Sequence, residues 1–236
     1  MAAGRPAPRR SPHRTIEPKE LSMGAVVTFK GLEIIASRMR GSTPTQAEPL
    51  NISWGNNPAA LTAAQKDIAL FKEAAESRVA GTSSIVTTTN PNDTYQVVGT
   101  FTSGSGQTIA EVALSDSASK PTAVDAVQTS STVIGSNSAT SLIVANGANF
   151  AVNQYIQIRT EVMKITAIST NTLTVTRAQN GTTAISTIAL NDAVTGGNIP
   201  GVTNVTSGSL FFHADHGSQT LANGDQVSYT LTTKFS

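Results

Sequence analysis

The chain has 236 residues, a net charge of +1 and no cysteine. That length gives one or two domains and enough chain to bury a core without metals or disulfides. The missing thiols exclude a disulfide framework, a thiolate zinc site, an iron–sulfur cluster and a cysteine nucleophile. No apolar run approaches the ~18–20 residues of a membrane span, and the near-neutral charge gives nucleic acid no global attraction. Only 13% of the residues are charged, against ~25% in an ordinary soluble domain. Ser and Thr take their place, and Thr suits a pleated, half-buried surface.

Residues 1–22 read as an extended arm. Pro6, Pro8, Pro12 and Pro18 disfavour helix and sheet ladders. Arg5, Arg9, Arg10 and Arg14 face no acid within the first fourteen residues. Two readings stay open: a disordered tail, or an arm that orders along a neighbouring subunit or another acidic protein. In the second reading the four arginines are the candidate interface residues. Their guanidinium forks suit carboxylates on a neighbouring protein better than they suit nucleic acid. No apolar h-region follows, so a secretory signal is not expected.

Ala25–Phe29 reads as a short strand or a helix lead-in. Gly31–Arg40 is expected to be helical, with Leu32, Ile34, Ile35 and Met39 mainly on one face and Gly41 as a stop. Leu50–Gly55 reads as a strand carrying the only tryptophan, Trp54, as a core anchor. Thr62 and Gln65 form a capping-box pattern, which predicts a second helix from about Ala63 to Ser77. Ile68, Phe71 and Ala75 share one face of it; Asp67, Glu73 and Glu76 would be its solvated side.

The chain then turns to β. Strands are expected at Ser84–Thr89, Thr94–Phe101, Thr108–Leu114, Ser131–Ile134, Ser141–Val144, Tyr155–Arg159, Glu161–Ile168, Thr172–Arg177, Ser209–Ala214 and Asp225–Phe235. Around Ser169–Asn171 the pattern is a hairpin with apolar residues on one face and hydroxyls on the other. Asn180-Gly181 marks the next turn.

Reactive chemistry is sparse. His213-Ala214-Asp215-His216 is the best metal candidate, but in a strand residues 213 and 216 point to opposite faces, so solvated or interface side chains are the expectation. No nucleophile elbow occurs, and Gly104-Ser105-Gly106 sits at a hairpin tip rather than before a helix. No catalytic residue, metal site or cofactor is assigned.

The run NFAVNQYIQIRTEVMKITAISTNTLTVTRAQNGTTA resembles a small β-module of tailed-bacteriophage virion proteins over Phe150–Ala184. Glu161, Met163, Leu173–Arg177 and Asn180-Gly181-Thr182 carry the match, while Asn153 stands where the pattern has Gly. Two flanking segments, Glu76–Asp116 and Leu210–Ser236, resemble the two parts of a phage virion structural domain found in tail fibre and tail appendage proteins. The first part has the pattern I-x-E-x-G-L-F-D, which here contains Glu111, with Ala113 for the Gly and Ser115 for the Phe.

About ninety residues separate parts that otherwise follow closely, so a domain insertion is expected. The implied organisation is an arm at 1–22, a β-sandwich-like host domain of 23–120 plus 205–236 with two N-terminal helices, and an inserted β-module at 124–200. The resemblance implies a non-enzymatic structural component of a tailed phage virion, homo-oligomeric and contacting other virion proteins, at the tail or neck where fibres or appendages attach. The runner-up is a capsid decoration protein at the capsid surface. A reading of another class is a module that binds a host-surface glycan receptor.

Overall fold

The computed structural model describes residues 24–40, 46–121, 124–126, 136–202 and 208–235, with residues 124–126 described by backbone alone. The expected strand at 131–134 and the whole arm, including Arg5, Arg9, Arg10 and Arg14, lie outside the described residues.

The chain is mainly β, and every strand pairing among the described residues is antiparallel. Strand β1 (Gly24–Val27) leads into helix α1 (Phe29–Met39). Then follow β2 (Asn51–Gly55), β3 (Val79–Ala80), β4 (Thr82–Val86), β5 (Thr94–Thr102) and β6 (Gln107–Ser115). Strands β7 (Val124–Ala126), β8 (Ser141–Ile143), β9 (Tyr155–Ile158), β10 (Glu161–Ser169), β11 (Thr172–Gln179) and β12 (Ala193–Gly197) come next. The chain closes with β13 (Leu210–Leu221) and β14 (Gln226–Lys234).

Three sheets result. One has the order β1-β13-β6-β2-β3, and another β14-β5-β4. These two share a single apolar cluster: Trp54 of β2 stacks on Phe101 of β5 with ring centroids 3.6 Å apart, and Val227, Tyr229 and Leu231 of β14 join them. Alternation along the last strand is the reason. Residues 227, 229, 231 and 233 are buried while their neighbours face solvent, as the two-residue period of a half-buried strand requires.

The third sheet, β7-β12-β9-β10-β11-β8, is drawn entirely from residues 124–197 and has its own core of Ile156, Ile158, Met163, Ile165, Leu173 and others. The hairpin between β10 and β11 turns through Thr170 and Asn171, with Ser169 opposite Thr172. Asn153 takes φ +71°, a left-handed conformation that glycine and asparagine tolerate best. The turn forms with Asn at this position, and the Asn153 N–H donates to the Ile165 carbonyl at 2.8 Å.

The excursion that contains this sheet begins and ends at one place. Ser115 and Leu210 are register partners on β6 and β13, and the Asp116 N–H donates to the Ser209 carbonyl at 3.3 Å.

The second expected helix does not form; α1 is the one α-helix among the described residues. Residues 58–78 run as irregular chain touching a strand at the single Gly55–Glu73 bridge. Tertiary acceptors take the backbone donors that a helix would pair internally. Those of Ile68 and Ala69 go to the Gln157 side-chain carbonyl, and those of Phe71 and Lys72 to the Glu111 carboxylate. Ile68, Ala69, Leu70 and Phe71 are all buried in succession. A surface helix could bury only one stripe of such a run. Local propensity therefore loses to a segment wedged between two sheets.

In α1 the expected helix is present, capped by the Thr28 side chain, which accepts from the Gly31 N–H at 3.0 Å. Its apolar residues are used unequally. Ile34 is buried, but Leu32 and Met39 remain 46% and 83% exposed.

Candidate functional site

Buried charge gathers at two places. At the first, the His213 ring on β13 lies between Asp67 Oδ2 at 2.8 Å and Glu111 Oε2 at 3.2 Å, and all three residues are buried. An ionised carboxylate only accepts, so a ring flanked by two of them donates from both nitrogens as an imidazolium. Burial opposes that charge, but the hydrogen bonds and attraction of Asp67 and Glu111 outweigh it and raise the imidazole to about 9. The Phe71 ring lies 4.9 Å from the His213 ring. Gln157 of β9 completes the cluster by donating to Asp67 Oδ1 at 3.1 Å.

This cluster is a latch between the third sheet and the rest of the molecule. Gln157 and Asn180 both hold the wedge segment, the latter by donating to the Lys66 carbonyl at 2.9 Å. A Cβ built at Gly197 would overlap the Ile68 carbonyl oxygen, so β12 ends on a glycine, which weakens its strand signal.

At the second place, Glu161 and Arg177 form a fork inside the third sheet. Arg177 Nε donates to Glu161 Oε1 at 2.7 Å and Nη2 to Oε2 at 2.6 Å. The same carboxylate accepts from the backbone N–H groups of Ala178 and Ile185, both at 2.9 Å. Arg177 also donates to the Ala139 and Ile185 carbonyls. Bidentate geometry with every remaining valence filled is what makes such a buried pair tolerable. Thr182 acts alongside by accepting from the Val162 N–H and donating to the Gln179 carbonyl. Glu161, Arg177 and Thr182 thus fasten segments of the third sheet to one another.

The histidine motif is dispersed rather than gathered. His213 belongs to the latch, Asp215 accepts from the Ala63 N–H at 2.7 Å, and His216 Nε2 pairs with the Tyr229 hydroxyl at 2.9 Å. His213 and His216 are buried, which corrects the expectation of solvated side chains. Asp67 is likewise buried, and Glu73 forms an ion pair with Arg78 at 2.8 Å instead of facing solvent from a helix. The two carboxylates at His213 lie on opposite edges of its ring and do not converge on one point. Among the described residues no group of three or more His, Asp or Glu side chains is arranged to hold a metal ion, and no helix is long and apolar enough to cross a membrane.

Open surface chemistry is found elsewhere. A groove of about 350 Å³ runs between the end of α1 and the sheet β14-β5-β4. Ile35 and Met39 line it from α1, and Tyr95 and the exposed Phe235 supply aromatic surface, while Ile34 and Phe211, both buried, reach it only from the core. Ile85 and Phe235 on its rim are 67% and 52% exposed. The Tyr95 hydroxyl sits 3.1 Å from Glu48 Oε1 and 3.0 Å from the Pro49 carbonyl. Burial and then the Glu48 charge push the phenol far above its ordinary range, so it stays a neutral donor. Arg38 also lines the groove and donates to the Gln46 carbonyl at 3.3 Å.

The arrangement is apolar and aromatic with one carboxylate and one guanidinium, so it can hold a ligand or a chain segment. Sequence reasoning placed Met39 and Ile35 on a helix face but missed the groove. Its other walls come from chain segments that no local pattern links to α1.

Comparison with protein-family models, curated proteins and solved structures finds no match to this chain.

Proposed function

We propose that the chain is a non-enzymatic structural component of a tailed-phage virion, at the tail or neck where fibres or appendages attach. The observation that carries this reading is the division of polar and apolar groups. The buried ionisable clusters at His213 and at Arg177 are consumed by fastening chain segments to each other, while the open groove presents apolar and aromatic surface. Such a division suits docking rather than turnover.

The two-part virion-domain resemblance supports the same reading. We infer a β-sandwich-like host domain of 23–120 plus 205–236, interrupted by an inserted module at 124–200. The shared apolar cluster of the two host sheets and the meeting of Ser115 with Leu210 support it. Insertions are tolerated where the host ends stay together. Virion components occupy symmetric sites, so the chain is a homo-oligomer in the particle.

Immunogold labelling of intact virions with antibody to residues 124–200 tests the assignment. Gold confined to the tail or neck supports it. Gold over the head replaces it with capsid decoration. A chain absent from denatured particles that instead binds host-surface glycan saturably overturns it in favour of a receptor module.

A further inference from the structure

We propose that two copies of this chain pair through the free edge of β14, joining their β14-β5-β4 sheets into one continuous antiparallel sheet. The proposal rests on the homo-oligomeric reading above and names the surface that joins its copies.

The hydrogen bonds at the two ends of the β5–β14 pairing show which backbone groups are free. The Ser103 N–H donates to the Asp225 carbonyl at 2.9 Å, and the Phe235 N–H to the Asp93 carbonyl at 2.9 Å. Between these ends the register runs without a shift from Gln226–Thr102 to Lys234–Thr94. In an antiparallel ladder, residues that bond the neighbouring strand alternate with residues whose N–H and C=O point away from it. The odd-numbered residues from Asp225 to Phe235 therefore bond the β5 side. Gln226, Ser228, Thr230, Thr232 and Lys234 turn both backbone groups outward. Among the described residues no strand lies on that side, and all five are exposed.

The other sheet edges are shorter. β1, β3, β4, β7 and β8 have five residues or fewer, whereas β14 has nine. Long edges are ordinarily blunted by charge, proline or a bulge. β14 has no bulge, no proline and no charged residue before Lys234. Such an edge is a template for another strand.

The side chains of β14 suit a second β14. A two-fold axis normal to the sheet at Thr230 sets Thr230 opposite its own counterpart. It sets Ser228 opposite the second copy's Thr232, and Gln226 opposite its Lys234. Every pair joins outward-facing residues, so each exchanges two backbone hydrogen bonds. On the solvent face the register sets hydroxyl against hydroxyl, a favourable cross-strand pairing. The two Lys234 side chains stay eight residues apart along the sheet, roughly 27 Å. Shifting the register by two residues leaves Gln226 or Lys234 beyond the partner's strand. An isologous contact of this kind closes on itself.

The absence of cysteine lets thiol linkage report the register. Full-length chains carrying Thr230→Cys, Gln226→Cys or Lys234→Cys are oxidised in a glutathione buffer. Thr230→Cys is expected to link to itself, since hydrogen-bonded antiparallel partners lie about 5.5 Å apart at Cα, within disulfide reach. Gln226→Cys and Lys234→Cys should link to each other when mixed, and each to itself at least about tenfold less. Thr232→Pro removes an N–H that points away from β5, a position where an edge strand tolerates proline. It takes two hydrogen bonds from the pair, so Thr230→Cys linkage should fall about tenfold or more. Thr230→Lys sets like charges opposite each other without touching the backbone, and should convert dimer to monomer in sedimentation. Thermal melting followed by Trp54 fluorescence checks that both variants stay folded.

A chain that sediments as monomer at every concentration overturns the proposal. So does Thr230→Cys linkage no greater than that of Gln226→Cys with itself, or linkage indifferent to Thr232→Pro. Hydrogen-exchange protection of the Thr230 and Thr232 N–H groups that survives dilution to monomer also overturns it, because the edge is then covered by its own chain. Because the readouts use purified chain, gold on the tail without linkage sinks the pairing alone. Register-specific linkage with a chain absent from virions sinks the virion role alone.

Discussion

The two buried charge clusters solve one problem in different ways. The Glu161–Arg177 fork joins residues of a single sheet, sixteen positions apart, and its cation is a guanidinium, which keeps its charge at any ordinary pH. The latch joins Asp67, Glu111 and His213, separated by 146 and 102 positions, and its cation is an imidazole. Both place an ionised group where several backbone N–H donors are also satisfied. The fork fastens the third sheet with a cation of fixed charge, whereas the cation of the latch is an imidazole whose pKa its two carboxylates raise to about 9. The fork lies within the third sheet; the charged groups of the latch lie in the rest of the molecule and reach the third sheet through the neutral Gln157.

The largest effect is expected from breaking the fork. Glu161→Ala leaves a buried guanidinium unpaired and two backbone donors unsatisfied, and should cost about 3–5 kcal/mol in urea denaturation. Its loss should concentrate in residues 136–197 by hydrogen exchange. Equal loss of protection throughout the chain would mean that the two regions are not separable.

The latch comes next. His213→Gln keeps a donor but removes the charge, and should cost on the order of 3 kcal/mol near pH 6. Its deprotection should reach both 64–72 and Gln157, because those segments share the cluster. Deprotection confined to β13 would contradict a linking role.

Gly197→Ala probes the contact between units without touching charge. Its added methyl group meets the Ile68 carbonyl, and the expected cost is about 1–3 kcal/mol from overpacking. A neutral result in thermal melting would show that the wedge segment yields easily.

The smallest effect belongs to Arg159→Ala. Arg159 pairs with Asp192 at 3.1 Å but is about one-third exposed, and such pairs contribute no more than about 1 kcal/mol. A larger loss would show that surface charge matters to this sheet as much as the buried fork does.

What could be read in the sequence follows the same division. The Glu161–Arg177 partners, the Thr170 hairpin and the Asn180-Gly181 turn lie close together in a strict alternating pattern, so the resemblance marked them and the strands fell where expected. Glu111 sat in a recognisable pattern, but its partners did not. Thr62, Gln65 and the spacing of Ile68, Phe71 and Ala75 all favour a helix, and no local feature reports that Gln157 and Glu111 will claim the backbone donors of 68–72. The groove was hidden for a related reason. Helical periodicity put Met39 on one face with Ile35, but it says which residues lie together and not whether anything covers them.

The central claim is that the buried His213 charge fastens two parts of the molecule, the segment around Asp67 and the sheet of β6 and β13. Trp54, the only tryptophan, lies in the core shared by the sheets of β6 and β14, so its fluorescence reports unfolding on that side of the latch. The most direct test is urea denaturation followed by Trp54 at about pH 6 and about pH 9.5, in the wild-type chain and in His213→Gln. A histidine with a folded pKa of about 9 against 6.5 when unfolded contributes stability that is complete below the unfolded value and lost as pH rises through the folded one. The account predicts that the wild type loses on the order of 3 kcal/mol between the two conditions and converges on His213→Gln, which changes much less. Wild-type stability that holds across that range, or a variant that falls in parallel with it, would contradict the account.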